Sequence, residues 1–291
     1  MMNLPTPLVS TEWLAQHLQA PELRIFDATV FLHINAQGPG YIPESGRAKW
    51  AEDHIPGASF IDLLDDFSDA AAPVRFTMPD AATFARLAGP AGIGDDSYVV
   101  VYSAGSMMWS TRFWWMLRSM GFDRAAVLDG GWEKWAAEGR PTSRDSVRPT
   151  AANFTAKPRP GLWANKSDML AAIQDGTVCT INALSPEVYT GSKNMYGRAG
   201  HIPGSHNVFY NSLLEIPPGT YLSADQLEQR FKPTGALDKS RVIAYCGGGI
   251  SATMDALALT LLGHPGVSVY DGSMMEWVAD PALPLALGEQ P

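Results

Sequence analysis

Cysteine is scarce in this chain, with only Cys179 and Cys246 among 291 residues. One pair offers no disulfide framework, so the fold must rest on its apolar core and a reducing, cytoplasmic setting is the expected one. No apolar run approaches the length that would cross a bilayer. The start, Met1 to Leu14, has no basic segment followed by an apolar stretch, so no secretory signal is expected. Positive charge is also short: 21 Lys and Arg face 30 Asp and Glu, for a formal net charge of -9. This balance argues against nucleic acid and anionic membrane as partners. An acidic protein that handles an anion must instead build positive potential locally. The histidines show no ligand spacing with Cys246 and the turn after it has no nucleotide-binding ending, so neither a metal nor an organic cofactor is expected.

What is present is a reactive setting for one of the two thiols. Cys246-Gly247-Gly248-Gly249-Ile250-Ser251 lies between the apolar run Arg241 to Tyr245 and a helical pattern that starts near Ala252. The order is strand, loop, helix. A turn whose backbone N–H groups converge at a helix N-terminus favours negative charge, and so favours the thiolate of Cys246. Consecutive glycines let the backbone approach an anion closely, so Gly247, Gly248, Gly249, Ile250 and Ser251 form the candidate cradle. Cys179, in the β-branched run Thr177 to Ile181, reads as a small buried hydrophobe. The turn lacks the Lys-Ser/Thr ending of a nucleotide-binding loop. Six residues after Cys246 stands Ala252, where a cysteine phosphatase needs an arginine to close on phosphate.

The chain also repeats itself. His54-Ile55-Pro56-Gly57 recurs as His201-Ile202-Pro203-Gly204, Val99 to Ser103 parallels Val242 to Cys246, and Leu128-Asp129-Gly130-Gly131 parallels Tyr270-Asp271-Gly272-Ser273. The early strand Leu23 to Ala28 has its counterpart in Val178 to Ala183. The offsets, between about 140 and 155 residues, are one domain length, which makes this a duplication of a whole domain. Each copy alternates strand and helix signals. Ser10 is placed to cap a helix through Leu18, Ser167 or Asn165 one through Ile173, and Ser223 one through Phe231. The expected fold class is therefore α/β, each copy a parallel sheet flanked by helices. The expected division is a first domain over 1–140, a Pro-rich, basic, extended linker over 141–161, and a second domain over 162–291.

Copy one carries Ser103 where copy two carries Cys246, and no histidine lies nearby to activate an alcohol. Copy one is expected to be catalytically silent. The helix beyond it, Thr111-Arg112-Phe113-Trp114-Trp115-Met116, is too aromatic for one narrow stripe, and burial against the second domain would account for both tryptophans.

These residues, the paired His-Ile-Pro-Gly motifs, Arg112 to Met116, the two Asp-Gly motifs and the single Cys246 loop, resemble the tandem-domain rhodaneses over nearly the whole chain. The family includes 3-mercaptopyruvate and thiosulfate sulfurtransferases. The resemblance implies two rhodanese-like domains and a Cys246 that accepts a sulfane sulfur from a small donor as a persulfide. That sulfur would pass to cyanide or to a thiol, a thioredoxin-like protein among the partners the resemblance allows. The loop is closer to the family's mercaptopyruvate pattern than to its basic thiosulfate pattern, because no Lys or Arg follows the cysteine. Three departures stand out. Gly248 replaces a hydroxyl that the family is thought to couple to a histidine matching His54, and Ser45 falls where that relay would need an aspartate. Val188 falls where the family has a substrate-binding arginine, leaving Arg198 as the candidate anion ligand, with His54 beside it and Lys193 as the weaker choice. His54 and His201 otherwise read as turn-shaping residues. The alternative is a persulfide-carrying sulfur-binding or interaction module with little turnover.

Overall fold

The computed structural model describes residues 4–147 and 149–291. The leader reading at Met1 and the linker residue Arg148 therefore fall partly outside the described residues. Copy one opens with β1 (Leu8–Val9), α1 (Thr11–His17) and β2 (Leu23–Asp27). It continues through a hairpin, β3 (Val30–Ile34) and β4 (Tyr41–Ser45), then α2 (Arg47–Glu52), β5 (Ala58–Phe60) and α3 (Ala81–Ala88). It closes with β6 (Tyr98–Tyr102), α4 (Met108–Ser119), β7 (Ala125–Leu128) and α5 (Gly131–Ala137). Copy two runs β8 (Trp163–Ala164), α6 (Lys166–Ala172), β9 (Val178–Asn182), α7 (Pro186–Tyr189), β10 (Ser205–Asn207), a hairpin of β11 (Leu214–Glu215) and β12 (Thr220–Tyr221), and α8 (Ala224–Phe231). It ends with β13 (Arg241–Tyr245), α9 (Ala252–Leu261), β14 (Val267–Tyr270) and α10 (Ser273–Ala279).

The two main sheets have the same topology. The first is ordered β1-β7-β6-β2-β5 and the second β8-β14-β13-β9-β10, so each strand has a counterpart one copy later. Every neighbour in both sheets is parallel, and the strands are apolar on both faces because helices cover both sides. The expected caps are in place: Ser10 accepts from Trp13 N–H, Asn165 rather than Ser167 closes a capping box with Asp168, and Ser223 closes another with Gln226. These caps set the entry angles of α1, α6 and α8.

The connecting segment over 141–161 is extended but does not hang free. Ala152 N–H bonds Gly89 O, Lys157 N–H bonds Met120 O and Arg159 N–H bonds Ser119 O, while buried Phe154 packs on the Phe84 ring. It is a strap along copy one. The copies meet through α4 and α9, where Thr111 and Thr253 hydroxyls bond at 2.7 Å. A continuous apolar core crosses this contact, and buried Trp115 donates to Leu162 O at the start of copy two. No helix among the described residues is long and apolar enough to cross a membrane.

Candidate active site

β6 and β13 are central strands, and each ends in a loop that turns into a helix, the position where parallel sheets place ligands. Cys246 is the first residue beyond β13 and is 2 % exposed. Its loop is held from behind by a single hydroxyl. Ser273 Oγ accepts the N–H groups of both Cys246 and Gly249 at 3.0 Å and donates to Tyr270 O at 2.7 Å. Ser273 does this from a left-handed conformation, φ 49°, a strain that non-glycine residues carry chiefly at functional positions. The carbonyls of Cys246 and Gly247 are taken up by Met274 and Met275 N–H groups at 3.0 and 2.8 Å. Gly249 has φ 73°, and a Cβ there would stand 2.6 Å from Asp271 O, so only glycine passes this point.

That scaffold leaves four loop N–H groups, those of Gly247, Gly248, Ile250 and Ser251, without an acceptor among the described residues. Buried N–H groups rarely remain unpaired. Here they open on a cavity of about 580 Å³ whose floor includes Cys246 and the same four residues. Of the five residues expected to form a cradle, four present their N–H groups without an acceptor, while Gly249 donates to Ser273 and serves as the hinge of the loop.

Both copies build the walls. Copy two supplies Leu184, Val188, Tyr196 and Tyr210, and copy one supplies Leu32, Tyr41, Phe76 and Trp109. The charged residues on the lining are Arg75 from copy one and Lys193 from copy two, both exposed toward solvent. Copy one is locked onto the loop by Arg112, which is 1 % exposed. Its guanidinium bonds Asp271 Oδ1 at 2.6 Å, Gly249 O at 3.1 Å and Phe76 O at 2.5 Å, and lies over the Trp163 ring. Asp271 also accepts Met78 N–H at 2.8 Å. Phe76, at φ 65°, turns its carbonyl to Arg112 and its ring to Trp109. A strap of copy one, Phe76 to Met78, is therefore fastened to the reactive loop of copy two.

Two of the expected substrate contacts are corrected by this geometry. Arg198 does not line the cavity; its guanidinium bonds the carbonyls of Asp280 and Leu283 at 2.9 and 2.8 Å, pinning the C-terminal segment. His54 is fully buried in copy one, with Nδ1 on Trp50 O at 2.7 Å and its ring stacked on Trp50. The two motif histidines do the same job. His54 pairs its backbone with Ser143 and His201 with Ala286, and the next residue in each case, Ile55 or Ile202, donates to the hydroxyl of Tyr102 or Tyr245. Those tyrosines immediately precede Ser103 and Cys246, so the His-Ile-Pro-Gly motif braces each loop from below. Ser45 bonds Asp62 Oδ2 at 2.7 Å. Val188 forms apolar wall, and Lys193 reaches the cavity as the weaker expectation had it.

Cys179 is 3 % exposed, and burial pushes its thiol up to about 11. It packs as a hydrophobe. The residues missed from sequence were Arg75 and Tyr196, which lie in separate loops, and Ser273, which opens α10. Only Ser273 carried a signal, as the partner of Gly131 in the repeated Asp-Gly motif. Among the described residues no cluster of His, Cys, Asp and Glu is placed to hold a metal ion.

Fold and site together define a duplicated α/β protein in which one copy presents a buried thiol among unpaired backbone N–H groups and the other helps to roof it. The rhodanese-like domain family matches residues 10–138 and 167–280. The chain is 31% identical to a 3-mercaptopyruvate sulfurtransferase of Escherichia coli (strain K12), covering 96% of this chain and 98% of that one. It is 34% identical to a thiosulfate sulfurtransferase of Bos taurus, covering 93% and 91%. The crystal structure of SseA from Escherichia coli, a 3-mercaptopyruvate sulfotransferase, superposes with a TM-score of 0.81 at 30% identity, over 92% of this chain and 98% of that one. The chain belongs to the rhodanese family.

Proposed function

We propose that the chain is a sulfurtransferase whose Cys246 takes a sulfane sulfur from a small donor, holds it as a persulfide and yields it to a thiol or cyanide. The sulfurtransferase class rests on family membership and on the named relatives. The observation that carries the role of Cys246 is the set of four acceptor-free N–H groups surrounding a buried thiol at a cavity floor. Such groups stabilise an anion without any reorganisation during reaction. With 3-mercaptopyruvate, the Cys246 thiolate forms the S–S bond as the donor's C–S bond breaks. The electron pair leaves on carbon as the enolate of pyruvate, which takes its proton from water. The same N–H groups that hold the thiolate then hold the persulfide anion.

The surroundings favour 3-mercaptopyruvate over thiosulfate. Gly247 and Gly248 put no side-chain cation into the loop, and the charged residues of the lining, Arg75 and Lys193, come from other segments and are exposed to solvent. That arrangement suits one carboxylate at the rim better than a compact dianion at the thiol. Gly248 leaves space for the missing hydroxyl, since a Cβ there would meet only Met275 Sδ at 3.3 Å and Arg75 O at 4.0 Å. The apolar Val188 wall supports a second reading, a persulfide carrier with little turnover.

Intact-protein mass spectrometry after incubation with 3-mercaptopyruvate or thiosulfate tests both. One added sulfur atom is expected, faster from 3-mercaptopyruvate, and Cys246→Ser should abolish the adduct and all turnover. Protein unmodified by either donor would overturn the assignment. An adduct that neither cyanide nor thiols discharge would select the carrier.

A further inference from the structure

We propose that the hydroxyl of Tyr196 donates a hydrogen bond to the sulfur anion held at Cys246, and that Gly247 is side-chain-free to make room for it. The proposal rests on the persulfide reading above and names a catalytic residue within it. Gly247 has no left-handed backbone angle, so its conformation does not demand glycine. Space does. A Cβ at 247 would collide with the Tyr196 hydroxyl and would stand 2.6 Å from Cζ and 2.9 Å from Cε1 of the same ring. The tip of the phenol therefore lies against the residue that follows the thiol.

That hydroxyl has no hydrogen-bond partner among the described residues, although its ring is packed against the core and both Tyr196 and Cys246 line the same cavity. A donor group that the protein leaves free inside a cavity is available to a ligand. Burial, and then the neighbouring Cys246, hold the phenol above its ordinary range, so it stays a protonated donor at any working pH. Its loop is fixed rather than loose. Gly197 N–H bonds Asn194 Oδ1 at 2.9 Å, and Arg198 ties the next turn to the carbonyls of Asp280 and Leu283. Arg198 thus becomes a positioning residue for Tyr196 instead of an anion ligand.

The chemistry gives the hydroxyl a defined moment of use. When an acceptor thiolate attacks the outer sulfur of the persulfide, a new S–S bond forms and the old one breaks. The electron pair passes to Cys246 Sγ, and the acceptor leaves as its own persulfide. A neutral donor beside Gly247 stabilises charge on sulfur through this step without creating the positive field that would draw a dianion.

Two variants test this. Tyr196→Phe removes the hydroxyl and keeps the ring; Gly247→Ala keeps the hydroxyl and displaces it. For Tyr196→Phe, kcat for discharge to a small thiol should fall about 10- to 100-fold, with KM within about threefold and the unfolding midpoint unchanged. Gly247→Ala should lose kcat in the same direction, and the double variant should fall little below the worse single one, because both remove one interaction. Wild-type protein that turns over while Tyr196→Phe matches it within about twofold, or a fully additive double variant, would overturn the role of Tyr196 and leave the persulfide reading standing. Wild-type protein that takes sulfur from no donor would overturn both.

Discussion

The loop after β6 and the loop after β13 begin from one ancestral design and end in opposite states. In copy two, Ser273 holds the loop from behind and its remaining N–H groups face the cavity. In copy one the counterpart of Ser273 is Gly131, also left-handed at φ 55° but without a hydroxyl. The Ser103 hydroxyl then takes over the structural work, donating to Ser106 O at 2.7 Å and accepting Ser110 N–H at 3.3 Å. Two of the loop's donors are also taken up inside the fold: Gly105 N–H bonds the Glu133 carboxylate at 2.7 Å and Ala104 N–H bonds the Thr29 hydroxyl at 2.8 Å. The loop of copy one thus departs from that of copy two in two ways. Its nucleophile position is spent on its own backbone, and its cradle already holds an internal carboxylate.

The docking contacts differ in the same way. Arg112 on α4 reaches Asp271 and the reactive loop, whereas the corresponding position on α9 is Asp255, a fully buried carboxyl with no partner among the described residues. Burial drives Asp255 well above the carboxylate range, so it is read as a neutral acid. The ion pair is built only on the side that fastens copy one to the reactive loop.

The largest expected effect comes from breaking that asymmetry. Arg112→Met strands Asp271 and the carbonyls of Phe76 and Gly249, and should cost about 3–5 kcal/mol in urea unfolding, with sulfur transfer lost alongside. A variant as stable and active as the parent would show that the docking contact is incidental. Next, Ser273→Gly gives copy two the anchor of copy one. Sulfur transfer should fall about tenfold, while stability moves by less than about 1 kcal/mol because relief of the left-handed strain offsets the lost hydrogen bonds. Steady-state kinetics beside thermal unfolding would separate the two, and unchanged kcat would mean that the hydroxyl does not shape the cradle.

The smallest effect concerns Asp129, the counterpart of Asp271, which accepts Tyr221 N–H at 2.8 Å but has no arginine partner among the described residues. Burial pushes it up to about 6. The folded chain then holds this proton more tightly than the unfolded chain does, so the contribution of Asp129 to stability falls as pH rises from about 4 to 6 and stays low above that. Asp129→Asn keeps the acceptor and removes the charge, so its melting temperature should match wild type near pH 4 and exceed it by a few degrees at pH 8. Equal melting temperatures at both ends would mean that the carboxylate is as well solvated as an exposed one.

The parts of this organisation that were legible in sequence are those written as local pattern or as repetition. Val99 to Ser103 and Val242 to Cys246 located β6, β13 and the two loops, and Ser10, Asn165 and Ser223 located three helix starts, because short apolar runs and capping depend on neighbours in the chain. The aromatic run on α4 pointed to an inter-domain face for the same reason. Arg198 and His54 were misplaced because resemblance located them near the site in sequence, while the side chains turn to backbone carbonyls that only the tertiary fold brings close. Arg75 and Tyr196 carry no local signature, since each reaches the cavity from a loop whose path is set by long-range packing. The carboxylate on the copy-one loop was equally hidden: Glu133 looks like any first-turn acid of a helix until Gly105 is seen above it.

The strap from Phe76 to Met78 also has a bearing on how such a protein changes over generations. Part of the pocket wall is encoded by the copy that lacks the thiol, so mutation there can reshape the cavity without touching Cys246, its glycines or Ser273. The same coupling sets a limit, because neither half can be deleted or exchanged without unfastening Arg112 and opening the pocket to water.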